Sequence, residues 1–112
     1  MSKFDEAVSR YQDEMNKLGI SFDADLLTAV TKGLGPAIYS DDSSKVSCTD
    51  PEELARVKNN FLIKKLGLED SPALDAALKE VCEQLGSANR NKFRGMFYYL
   101  LVKKFSKEAV YA

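Results

Sequence analysis

Two cysteines, Cys48 and Cys82, and no histidine occur in the 112 residues. Without imidazole there are no Ser-His-Asp or Cys-His nucleophile pairs, no histidine general base and few routes to a zinc site. The adjacent acids Asp41-Asp42 and Glu52-Glu53 are the candidates for acid–base work. The second pair has a simpler use, because carboxylates are favoured in the first turn of a helix. From Asp41 to Glu52 the spacing has the outline of a calcium loop. It fails at Lys45 in position five and at Val46, where position six requires glycine. No metal and no cofactor is expected.

Cys48 stands two residues before a helix N-cap, where a thiol pKa can be lowered. Cys82 falls on an apolar stripe and reads as a small core residue. The chain opens without an apolar leader, and no apolar run approaches the ~18 residues of a membrane span. The expectation is a cytoplasmic protein, no membrane, and two free, inert thiols, with one disulfide in an exported chain or a redox role for Cys48 as the less favoured alternatives. Tyr39, Tyr98, Tyr99 and Arg94 are the remaining candidates for a small-ligand pocket, and an enzyme is the less favoured reading.

Charge is the better lead. The formal net charge is −1, but its distribution is uneven. Residues 1–57 hold six basic and eleven acidic side chains, and residues 58–112 hold ten basic and six acidic. From Gly86 to Lys107 there are Arg90, Lys92, Arg94, Lys103, Lys104 and Lys107 and no acid. These six are the candidate surface for an anionic partner. The competing reading is that they pair within the fold with the acidic face of the first helix.

The elements that must position these residues are helices. Leu18-Gly19, Leu66-Gly67 and Leu85-Gly86 are helix stops, and Ile20 and Leu68 are placed to pack back on Met15 and Ile63. Asp50-Pro51-Glu52-Glu53 and Ser71-Pro72 are cap–proline starts. Asp23 caps another helix, with Phe22 and Leu27 as its hydrophobic staple, and Ser87 is placed to cap the last. Apolar residues recur at helical spacing between these marks, which predicts helices over about 3–18, 24–33, 51–66, 72–85 and 88–106. Pairs Glu6–Arg10 and Asp13–Lys17 lie at i, i+4 on the first. Residues 35–39 suggest a helical turn, and residues 40–45 an exposed loop. The last helix is apolar nearly all round, so it should be central. Gly95 within it implies either a close helix crossing or a kink. The reading is one all-α domain spanning residues 1–112, a compact bundle of about five helices with the C-terminal helix central.

Asp42-Ser43-Ser44-Lys45-Val46-Ser47-Cys48, Val57-Lys58-Asn59-Asn60-Phe61-Leu62-Ile63-Lys64-Lys65-Leu66-Gly67 and Phe93-Arg94-Gly95-Met96-Phe97-Tyr98-Tyr99-Leu100 resemble a family of small bacterial proteins known only as a domain of unknown function. The resemblance covers essentially the whole chain. It implies a compact all-helical bacterial cytoplasmic protein and supplies no catalytic residues. The expected function is a non-enzymatic interaction or accessory role toward another macromolecule, a protein before a nucleic acid. The near-zero net charge weighs against nucleic acid. The loose helix-turn-helix spacing of the third and fourth helices weighs for it.

Overall fold

A computed structural model describes residues 3–39, 44–86, 89 and 92–111. Five α-helices follow one another: α1 Lys3–Lys17, α2 Ala24–Leu34, α3 Pro51–Val57, α4 Pro72–Leu85 and α5 Arg94–Lys104. A π-helical segment, Lys58–Ile63, extends α3, and 3-10 turns cover Gly35–Tyr39 and Glu108–Tyr111. Among the described residues there is no strand, only an isolated antiparallel bridge between Lys45 and Phe93. The radius of gyration, 13.0 Å, is that of one compact domain of this length.

The core is built around α5. Every residue from Gly95 to Val102 is buried, which leaves no polar face and identifies α5 as the central helix. It packs on α2 and α4 and touches α1. Gly95 is the point of closest approach: a Cβ there would come within 2.5 Å of Tyr11 Cε2 and 3.1 Å of Thr31 Oγ1. The crossing reading therefore holds. Gly95 lies in the first turn of α5, where there is no helix on the other side to kink. Buried Tyr11 fills the crossing, and its hydroxyl has no hydrogen-bond partner among the described residues. Such a group forgoes about 1–3 kcal/mol. The Tyr99 hydroxyl accepts from the Asp23 N–H at 2.7 Å and ties α5 to the start of α2.

Capping followed local chemistry. Asp23 accepts from the N–H groups of Asp25 and Leu26, and Asp50 from that of Glu52. Ser71 makes no side-chain cap bond, although Pro72 follows it. At the end of α1 the bonds from Gly19 to Asn16 and from Ile20 to Met15 form the expected Schellman stop. Lys17 pairs with Glu14 at 3.7 Å rather than with Asp13.

Two expectations are corrected. The helix predicted over 51–66 is α-helical only to Val57 and then widens, with Lys64 N–H bonding Asn59 and Leu66 N–H bonding Phe61. The segment closes with Leu68 N–H bonding the Leu62 carbonyl. The helix predicted over 88–106 spans 94–104. The residues just before it are tied to the segment ahead of α3: Val46 N–H bonds the Lys92 carbonyl at 2.9 Å, and Arg94 N–H bonds the Ser44 carbonyl at 2.7 Å. Phe93 is held extended between them and becomes the N-cap residue. Ser87 and residues 40–43 lie outside the described residues.

Candidate functional site

The candidate cations separate to the two ends of α5. At its start, Arg94 Nη2 meets Glu53 Oε1 at 2.5 Å, and Nη1 donates to the Tyr98 hydroxyl at 3.1 Å. Both side chains of the ion pair are largely buried, at 13% and 15% exposure. Burial opposes the Arg94 charge, but the Glu53 bond and the Tyr98 oxygen outweigh it and raise the pKa. Tyr98 is raised by its own burial, against the pull of Arg94, and stacks on Phe61 at 4.1 Å. Lys92 is buried, and its Nζ donates to the Asn89 carbonyl at 2.6 Å. Arg90 lies outside the described residues.

At the exit of α5, Lys104 pairs with Glu80 of α4. Lys103 is exposed and Lys107 is half-buried, and neither makes an ion pair among the described residues. Lys65, at the end of the π segment, holds its Nζ 5.4 Å over the Tyr111 ring in the C-terminal turn. The carboxylates that answer Arg94 and Lys104 come from α3 and α4. The sequence reading had looked to α1.

The cysteines require a correction. Cys48 and Cys82, expected as free thiols, form a disulfide across 34 residues, with Cα atoms 6.0 Å apart. The bridge Lys45–Phe93 and the buried Val46 fold the segment before α3 inward, and this brings Cys48 over α4. Cys82 does sit on the apolar face, as expected. The inference from free thiols to a reducing compartment therefore loses its basis.

This cystine closes one end of a groove of about 450 Å³ between α3 and α4. On α3 and its extension the lining stripe is Pro51, Leu54, Ala55 and Lys58. On α4 it is Asp75, Leu78, Lys79 and Cys82. Both stripes have i, i+3, i+4, i+7 spacing, one face of a helix each. They run in opposite directions. Lys58 closes the other end, reaching Asp70 at 2.9 Å and Asp75 at 3.4 Å. The hydrogen bond to Asp70 leads the upward shift of the Lys58 pKa, and Asp75 adds to it. The repeated spacing was readable in the sequence, but that the two stripes face each other was not.

The four expected pocket residues do not converge. Tyr39 lines a cavity with Tyr11 and Phe93, whereas Tyr98 lines one with Phe61, Lys65 and Tyr111. Tyr99 is engaged by Asp23. Among the described residues no three His, Cys, Asp or Glu side chains group as a metal site, and no helix is long and apolar enough to cross a membrane.

The class defined is a single all-α domain with a central apolar helix and an apolar groove between two strutted helices. The chain belongs to the family described as protein of unknown function (DUF2853), matched over residues 10–109. No curated protein matches it.

Proposed function

We propose that the protein is a non-enzymatic interaction module that engages an acidic surface of another protein through the exit end of α5. The observation that carries this reading is the contrast between the ends of that helix. Arg94 and Lys92 are committed to partners inside the fold, while Lys103 and Lys107 have no ion pair among the described residues. Exposed cations without counter-charges steer an anionic partner and are screened by salt. The Lys104–Glu80 pair is solvent-exposed enough to open on binding at little cost. A protein partner is favoured over nucleic acid because residues 64–71 separate the π segment from α4. That connection is longer than the three or four residues of a helix-turn-helix turn.

The double variant Lys103→Glu/Lys107→Glu should lose an acidic protein partner that the wild type retains in a pull-down from the native cell. Lys17→Glu, on α1, should retain it. Helicity is checked alongside by circular dichroism. Equal recovery by wild type and double variant overturns the reading. Salt-sensitive retardation of duplex DNA that the double variant abolishes overturns it in favour of nucleic acid.

A further inference from the structure

The Cys48–Cys82 cystine lies where the core meets the α3–α4 groove, and both of its residues line that groove. Cys82 is 9% exposed and Cys48 half-buried, so Cys48 is the more open half of the cystine. Lys79 lies one helical turn before Cys82 on the same groove-lining stripe, and its ammonium makes no ion pair among the described residues. A neighbouring ammonium stabilises a thiolate and makes that sulfur a better leaving group. The walls between the two struts are aliphatic, from Leu54, Ala55 and Leu78.

We propose that Cys48–Cys82 is a redox-active pair whose groove admits thiols with an apolar body. The thiolate of such a molecule attacks Sγ of Cys48, and the S–S bond breaks with its electron pair passing to Sγ of Cys82. The Cys82 thiolate forms beside Lys79 and takes a proton from solvent. A second thiolate attacks the outer sulfur of the mixed disulfide and expels the Cys48 thiolate, which is protonated in turn. Two thiols are oxidised to one disulfide, and the protein gains two electrons and two protons.

The fold tolerates this change. The core cluster draws on all five helices, and Cys82 is one of its many members. The segment before α3 stays attached through Val46 and the Lys45–Phe93 bridge, and the Lys58 strut still joins the helices. The site is separate from the exit end of α5, so its failure and the failure of the interaction reading are distinguishable.

The test uses the intact oxidised chain with benzyl mercaptan and 2-mercaptoethanol at matched thiolate concentration. Reduction is read by mass after alkylation of the freed thiols, with circular dichroism followed in parallel. Benzyl mercaptan should react about tenfold faster, as one apolar group in a fitting pocket permits, with helicity retained. Ala55→Asp, at an exposed groove position, should remove that preference, and Lys79→Gln should slow both thiols severalfold. Lys103→Glu/Lys107→Glu should leave the rates unchanged. A cystine that resists both thiols until denaturant unfolds the chain is a structural staple, and that result overturns the proposal. Equal rates for the two thiols also overturn it.

Discussion

Gly95 carries a packing constraint that its helix would not choose. Alanine there would gain about 1 kcal/mol in helix propensity. Its methyl group would also sit 2.5 Å from a ring carbon of Tyr11 and 3.1 Å from the Thr31 hydroxyl, which is held by its bond to the Leu27 carbonyl. The Tyr11 ring is wholly buried beside Phe93, and relieving the overlap means pushing it toward the cavity that it lines with Tyr39. The overlap should dominate. Gly95→Ala is expected to destabilise the fold by about 1–3 kcal/mol, in the range of core overpacking, as read from the urea midpoint. An unchanged or raised midpoint would show that α1 shifts freely on α5. Arg94 belongs to the same scale. With Glu53 and Tyr98 it forms a buried charged group joining α3 to α5, and its position in a basic run gives no hint of that commitment.

Each helix start tests how far local chemistry reaches. Asp23 and Ser71 occupy the same formal position, yet Asp23 holds two N–H groups and Ser71 holds none. Asp23→Ala should therefore lower stability by about 1 kcal/mol, whereas Ser71→Ala should change it by much less. Thermal melts of both variants decide this, and equal losses would contradict the assignment. The π segment is the other departure at this scale. An extra residue per turn rotates the residues beyond it, so Phe61 and Leu62 enter the core while Lys58 stays in the groove to meet Asp70 and Asp75. Such widened turns are often found at functional positions, and this one forms part of the groove wall.

Over the whole molecule, burial and charge act together on pH behaviour. Burial pushes the Tyr11 phenol up to about 12, against Arg10 and with a smaller push from Tyr39. Burial also pushes Tyr111 up to about 12, with Tyr98 adding to it. In the unfolded chain both return to the ordinary value of 10.0. Between these values the folded state keeps protons that the unfolded chain has released, so stability falls as pH rises. Their contribution is fully present below pH 10 and is lost toward about 12. The denaturation midpoint should decline over that window, and Tyr11→Phe should decline less steeply than wild type. Parallel declines would sink the assignment to Tyr11. The charge along α5 is also a property of the whole molecule, since α3 supplies the acid that neutralises Arg94 at its start and α4 the one that pairs with Lys104 at its exit, which leaves Lys103 and Lys107.

What the sequence determined by itself was the helical architecture. Proline after an acid, glycine after leucine and apolar residues every three or four positions act over single turns, so their effects do not wait for the rest of the chain. The boundaries of α1, α2 and α4, the Schellman stop at Gly19 and the central place of α5 followed from such terms. Only the tertiary structure decided the cystine, the late start of α5, the widened turn and which cations are occupied. The cystine, the start of α5 and the occupied cations depend on groups far apart in the chain: Cys48 with Cys82, Ser44 with Arg94, Glu53 with Arg94. A residue's type and local period state what it can bond. Which distant group arrives to bond it is set by how the helices pack.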